Sequence, residues 1–183
     1  MELEKNSKDL IRRRLLIQRE SLTAAEVIEK SQIIQKIILK DFSGCRQIGL
    51  YFPLRNEVRT QELFESWIKN GKQIFFPRVV GKKIEFVSVE DKKDLVVGCW
   101  GILEPKSDQL VEVQNLDLVI VPGVAFDEER IRLGFGKGYY DRCLESYQGL
   151  KVGLCYEFQV VRQLIHLDHD LQCDQVVTEK RIF

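Results

Sequence analysis

The stretch Arg132-Leu-Gly-Phe-Gly-Lys-Gly-Tyr-Tyr-Asp141 gathers the residue types that phosphoryl chemistry needs. Gly134, Gly136 and Gly138 have no Cβ, so this backbone can take φ > 0 and let a ligand approach closely. Successive amide N–H groups in such a turn form an anion-binding concavity, to which Lys137 adds a full positive charge. Arg132 supplies a second cation, and Asp141 can hold Mg²⁺ directly or through water. The same residues also fit plainer roles, as a loose surface turn followed by a helix-start Asp that serves the helix dipole. Two nucleotide motifs are absent. A P-loop needs Ser or Thr after its Lys, where Gly138 stands, and a dinucleotide fingerprint needs Gly-x-Gly-x-x-Gly directly after a strand.

Other groups with chemical potential lie far from this loop in sequence. Lys8, Arg12 and Arg19 fall within roughly 40° of one another on a helical wheel. Such a basic stripe is either a solvated face or a source of cations for a phosphate site elsewhere in the fold. His166-Leu-Asp-His169-Asp170 holds both histidines of the chain, but no outside cysteine or histidine completes a zinc set. The histidines suit a structural or surface role, whereas Asp170 offers the oxygen ligand that Mg²⁺ prefers. The cysteines at 45, 99, 143, 155 and 173 show no zinc-knuckle or redox spacing, and they are assigned no catalytic role.

The elements that must position these groups follow from periodicity and punctuation. A helix runs from Lys8 to about Arg19, with Leu10, Ile11, Leu15 and Leu16 on its apolar side. Thr23-Ala-Ala-Glu26 is a capping box opening a second helix, and Gly44 lies past its end. Gln47–Phe52 reads as a strand stopped by Pro53, followed by a loop over Leu54–Arg59. Thr60 is the expected N-cap of a helix burying Leu63, Phe64, Trp67 and Ile68, which Asn70-Gly71 closes. Gln73–Phe76 is the next strand, ended by Pro77. Ile84–Val89 partly alternates as an antiparallel or edge strand would, and Asp91–Pro105 reads as an ordered loop. Asp117–Val121, Lys151–Tyr156 and Cys173–Thr178 are further strands, and Tyr139, Tyr140, Cys143, Leu144 and Tyr147 form a helical pattern after the glycines.

Strands alternating with helices predict an α/β fold: one domain over 1–183, a mostly parallel sheet flanked by helices in three α/β/α layers. In such sheets ligands gather at the carboxyl ends of strands, where Phe52, Glu57, Pro77 and Pro122 stand. Lys plus Arg and Asp plus Glu number 28 each, so no global field points to nucleic acid or an anionic membrane. The chain has no long apolar run, and its N-terminus is charged and helical rather than signal-like. A cytoplasmic protein is expected, with small-molecule partners, no nucleic acid, no membrane and a monomeric state.

Taken together and in order, these residues resemble the 5-formyltetrahydrofolate cyclo-ligase family, also called 5,10-methenyltetrahydrofolate synthetase. The resemblance includes Lys8, Ile11, Arg12, Arg19 and Leu22, then Asn56-Glu-Val-Arg-Thr60 and Gly101-Ile-Leu-Glu-Pro105. It is most specific in Val121-Pro-Gly-Val-Ala-Phe-Asp127 and Arg132–Asp141. Lys151-Val-Gly-Leu154, Glu157-Phe-Gln159, His169-Asp170, Asp174 and Val177-Thr-Glu179 continue it.

The resemblance implies an enzyme that uses ATP and Mg²⁺ to convert 5-formyltetrahydrofolate into 5,10-methenyltetrahydrofolate, with ADP and phosphate as the other products. The formyl oxygen would attack the γ-phosphate, and the folate nitrogen at position 10 would close the ring as phosphate leaves. By position, Lys8, Arg12 and the loop Arg132, Leu133, Gly134, Phe135, Gly136, Lys137, Gly138, Tyr139 and Tyr140 match ATP-binding positions. Lys137 and Arg132 would stabilise the transferred charge, and Asp141 and Asp170 match the magnesium positions. Phe52 and Glu57 match folate-contacting positions, and Tyr139 and Tyr140 would share the boundary between the substrates. The family loop reads Arg-Leu-Gly-Arg-Gly, whereas Phe135 stands here at the second Arg, where it can pack on the pterin or aminobenzoyl ring. Two alternatives remain at this level: a folate- or nucleotide-binding protein without turnover, and a small-metabolite kinase.

Overall fold

A computed structural model describes residues 2–98 and 103–183, with side chains described from residue 7 onward; Cys99, Trp100 and the Gly101–Ile102 part of the matched segment lie outside the described residues. The chain opens with helix α1 (Glu2–Glu20), which starts earlier than the apolar pattern predicted. Helix α2 (Ala24–Asp41) begins at the expected capping box: Thr23 Oγ1 accepts from the Glu26 N–H, and the Glu26 carboxylate accepts from the Thr23 N–H. Strand β1 (Gln47–Gly49), helix α3 (Gln61–Lys69), strands β2 (Gln73–Val80) and β3 (Lys83–Ser88) follow. The segment expected as a loop before Pro105 contains the short pair β4 (Leu95–Val97) and β5 (Leu103–Pro105). The remainder comprises β6 (Leu110–Val111), β7 (Leu118–Pro122), β8 (Ala125–Asp127), β9 (Arg132–Leu133), helix α4 (Tyr139–Cys143), β10 (Leu150–Leu154), β11 (Val160–Val161) and β12 (Gln175–Val177).

The main sheet has the order β12-β10-β7-β1-β2-β3-β6. Its pairs from β12 to β2 are parallel, and β3 and β6 extend it antiparallel. At its centre β7 is apolar throughout because both faces are covered. Leu118 and Ile120 pack with Ile34 and Ile38 of α2 and Leu63 and Trp67 of α3. Val119 and Val121, one residue out of phase, pack with Tyr140, Leu144 and Tyr147 on the other face. Beside this sheet, β11-β8-β9 form a small second sheet. Leu15 anchors α1 in an apolar cluster with Val124, Ala125, Ile131 and Leu133 of that region.

Three local expectations are corrected. Pro77 does not end β2, which runs on to Val80 and pairs Pro77 with Phe86. Phe75 directs its carbonyl toward the β1 side, where it accepts from the Leu50 N–H, so by the two-residue alternation Pro77 faces the same way. Beyond Phe75 β1 no longer runs alongside, and the missing N–H costs no ladder bond. Thr60 makes no side-chain cap on α3; its hydroxyl donates to the Tyr51 carbonyl. The buried Gln35 of α2 performs the capping instead, its Oε1 accepting from the Glu62 and Leu63 N–H groups at 3.1 Å each. Finally, the strand expected over Gln47–Phe52 is regular only to Gly49, although Leu50 and Tyr51 remain buried.

Candidate active site

A cavity of about 820 Å³ opens at the carboxyl ends of the central strands, where an α/β sheet gathers ligands. Tyr51, Phe52, Glu57, Pro77, Pro122, Arg12, the whole loop Arg132–Asp141, His169 and Asp170 line it. Residues from the first 60 positions and the last 20 therefore meet at one site.

The glycine loop joins β9 to α4, and its three glycines serve different ends. Gly136 and Gly138 lie at φ 89° and 65°, in the left-handed region that disfavours a side chain. Gly134 is not at positive φ; a Cβ there would stand 2.7 Å from Nη1 of Arg132, so the loop crosses directly over that guanidinium. The helix after the loop covers only Tyr139–Cys143, shorter than the pattern to Tyr147 suggested, and its small dipole contributes little to an anion site. Charge must come from side chains. Lys137 is exposed at the cavity and, among the described residues, makes no ion pair or hydrogen bond.

Arg132 lines the cavity from within the fold. It is buried beneath the loop, its Nε donates to the Pro122 carbonyl at 2.6 Å, and its Nη1 lies 3.7 Å from Asp141 Oδ1. Its guanidinium also covers the Tyr140 ring, 5.0 Å from the centroid. It lies below the loop, while Lys137 stands exposed at the cavity. Asp141 is no simple helix cap, because its Oδ1 accepts from the Leu171 N–H at 3.2 Å and so ties α4 to the segment holding Asp170.

The basic stripe of α1 is split between two destinations. Lys8 Nζ pairs with Asp170 Oδ2 at 2.5 Å, and Arg12 Nε donates to the Gly134 carbonyl at 2.8 Å. These two reach the late carboxylate and the glycine loop. Arg19 does not. It is buried beside Glu57, with Nη2 3.8 Å from Glu57 Oε1, and its guanidinium lies 5.7 Å from the Phe135 ring centroid.

The carboxylates differ in electrostatic state. Burial pushes the Glu57 carboxyl above its ordinary value, and Arg19, the Leu54 N–H and Arg132 offset that only in part. For Asp170 burial also acts upward, but the Lys8 ammonium and the Leu167 N–H outweigh it and hold the carboxyl below its ordinary value. Burial lifts the Cys143 thiol to about 11 and the Cys173 thiol to about 12, which disfavours the thiolate at both. His169 borders the cavity and His166 does not, and both are exposed.

Among the described residues no group of three or more His, Cys, Asp or Glu side chains forms a metal cage. The Asp141 and Asp170 pair nonetheless fits Mg²⁺, which is commonly held by one or two carboxylates together with substrate phosphates rather than by an all-protein cage. Several lining residues carried no sequence signal of their role: Arg55, Val79, Ile84, Glu104, Arg142 and Glu145. Val79 and Ile84 reach the cavity because the β2–β3 hairpin continues past Pro77, which proline punctuation concealed. No described helix is long and apolar enough to cross a membrane.

Comparison with known proteins agrees with this architecture. The solution structure of 5,10-methenyltetrahydrofolate synthetase from Aquifex aeolicus superposes with a TM-score of 0.87 at 38% identity, covering 96% of this chain and 91% of that one. The 5,10-methenyltetrahydrofolate synthetase of Mycoplasma pneumoniae gives 0.78 at 28% identity, over 94% and 98% of the two chains. A probable 5-formyltetrahydrofolate cyclo-ligase of Schizosaccharomyces pombe is 34% identical over 81% of this chain and 82% of its own length. The 5-formyltetrahydrofolate cyclo-ligase of Escherichia coli is 31% identical over 74% and 79%. The sequence model of the 5-formyltetrahydrofolate cyclo-ligase family matches residues 4–179, and with the cavity and its loop in the positions described, this chain belongs to that family.

Proposed function

We propose that this chain, as a single cyclo-ligase domain over 1–183, converts 5-formyltetrahydrofolate and ATP into 5,10-methenyltetrahydrofolate, ADP and phosphate. The observation that carries the proposal is the meeting, on one cavity, of an uncommitted Lys137 in a glycine loop, a carboxylate pair and a buried acid flanked by aromatic rings. Family membership supports the same activity.

A formyl oxygen is a poor leaving group until it is phosphorylated, so the task is to align two substrates and stabilise transferred charge. On the nucleotide side, the Gly134–Gly138 amides and Lys137 would bind the phosphates, with Lys8 and Arg12 supporting from α1. Arg132, buried below, would add a fixed positive potential. On the folate side, Glu57 would accept hydrogen bonds from the amino-pteridine edge while Phe52, Phe135 and Tyr139 pack on its rings. Mg²⁺, when held by Asp141 and Asp170, would neutralise charge on the transferring phosphoryl group. The formyl oxygen takes the γ-phosphoryl group from ATP, the nitrogen at position 10 then attacks the activated carbon and gives up its proton, and the C–O bond breaks with release of phosphate, which carries that proton or passes it to water.

Such an enzyme would act in the cytoplasm as a monomer on small molecules, without nucleic acid or membrane. The test is absorbance of the methenyl product in mixtures of purified protein, 5-formyltetrahydrofolate, ATP and Mg²⁺. Product growth that requires every component is expected. Binding of both substrates without product would replace the proposal with a non-catalytic binder, and phosphate release without product would replace it with a kinase.

A further inference from the structure

Arg19 is 1% exposed and Glu57 5% exposed, yet the two are not hydrogen-bonded to each other. Arg19 Nε donates to the Arg55 carbonyl at 3.0 Å and Nη1 to the Gly123 carbonyl at 3.2 Å, while Nη2 is buried without any hydrogen-bond partner. Glu57 Oε2 accepts from the Leu54 N–H at 2.9 Å, and Oε1 has only the ion pair at 3.8 Å. An unmet buried donor beside an underused buried acceptor is costly, and such cost is retained where a ligand completes the set. The backbone shows a second sign of the same kind. Arg55 and Asn56, adjacent and neither a glycine, both lie at positive φ, 48° and 56°. Non-glycine residues hold that conformation only where surrounding contacts impose it. Here α1 and the turn after it impose it: the Arg19 side chain donates to the Arg55 carbonyl, and the Arg19 and Leu22 carbonyls accept from Asn56 Nδ2.

Resting on the proposed folate reaction, we infer that Arg19 is a positioning residue for the folate: it holds the Leu54–Glu57 turn and keeps the Glu57 carboxylate aimed into the cavity as an anionic acceptor, with Phe135 closing over its guanidinium. Phe135 thereby acts on the folate side rather than on the phosphates, which accounts for an aromatic residue at a loop position where the family has a cation. The charged and titratable groups facing Glu57 are Arg19 from α1, Arg132 from β9, and the Tyr51, Tyr140 and Tyr156 phenols. Of these, Arg19 most strongly opposes the effect of burial on the acid.

The test is steady-state kinetics of wild type, Arg19→Met and Arg19→Lys across pH 5 to 8, with melting temperatures recorded in parallel. Arg19→Met is expected to raise KM for 5-formyltetrahydrofolate at least tenfold and leave KM for ATP within about twofold. It should also move the acid limb of kcat/KM for the folate to higher pH, because Glu57 without its cation protonates more readily. Arg19→Lys should return the acid limb toward the wild-type position while KM for the folate stays raised. An unmoved acid limb in Arg19→Met, or equal loss for both substrates, overturns the inference. Should Arg19→Met fail to fold, the folate KM of Arg19→Lys decides: a raised value upholds the inference and a wild-type value overturns it. Wild type that yields no methenyl product would sink the functional proposal itself, whereas normal wild-type turnover with an unchanged folate KM in both variants sinks only the role of Arg19.

Discussion

Lys8 and Asp170, 162 residues apart, form an ion pair at 2.5 Å that closes the site between the two ends of the chain. Both side chains are 15% exposed, so the pair is less screened than a surface contact. Since Asp170 has its folded carboxyl value depressed, its contribution is present above the unfolded value and is lost as pH falls through the folded one. Lys8→Met should therefore lower stability by about 1 kcal/mol near neutrality, and the difference should fade as pH falls below the ordinary carboxylate value of about 4. Urea midpoints of both proteins over pH 2 to 7 check this; a pH-independent difference would mean that Lys8 acts through packing alone.

Among the described residues Lys137 makes no ion pair or hydrogen bond, so its loss should touch catalysis and not stability. Lys137→Ala is expected to lower kcat by about 10² to 10³ by removing a charge that stabilises the transferring phosphoryl group. Its melting temperature should stay within about 1 °C, the range of a neutral surface change. Normal turnover in that variant would remove the loop cation from the mechanism.

Asp141 faces both Arg132 and the Leu171 N–H, so Asp141→Asn has two consequences. The Mg²⁺ concentration for half-maximal rate should rise at least tenfold, and stability should drop by about 1 kcal/mol because Arg132 remains buried without its counter-ion. A magnesium titration and a denaturant melt separate the two effects. An unaltered titration with lowered stability would leave Asp141 a purely structural residue.

Phe135 is 43% exposed, and its ring centroid lies 5.7 Å from the Arg19 guanidinium. Phe135→Ala should raise KM for 5-formyltetrahydrofolate by about 2- to 12-fold, the equivalent of an aromatic contact worth about 0.5–1.5 kcal/mol. KM for ATP should hold. A rise confined to ATP would place this ring on the nucleotide instead.

What could be read from the residues and what could not divide along physical lines. Local signals were legible: the Thr23 capping box, the Asn70-Gly71 helix end and the apolar run of β7 all depend on neighbours in sequence. Pro77 misled because its effect depends on which sheet edge it faces, a property of strand pairing rather than of the residue. Thr60 misled because a partner from another helix, Gln35, was better placed to cap α3. At the site, the glycine loop, Lys8, Arg12, Asp141 and Asp170 were legible as a set because each offers a charge or an open backbone. The stripe Lys8, Arg12 and Arg19 was visible on a wheel, but the axis of α1 over the small sheet decides that its last member meets Glu57. Arg132 was legible as a cation of the loop, whereas its burial and its bond to the Pro122 carbonyl depend on how β9 lies against β7.

The central claim is that the cavity activates the formyl oxygen by transferring phosphoryl to it. The most direct measurement follows that oxygen: turnover of 5-formyltetrahydrofolate carrying ¹⁸O in the formyl group, with the released phosphate observed by ³¹P NMR. One ¹⁸O atom in each inorganic phosphate molecule is the predicted result. Unlabelled phosphate, with the isotope lost to water, would contradict the account.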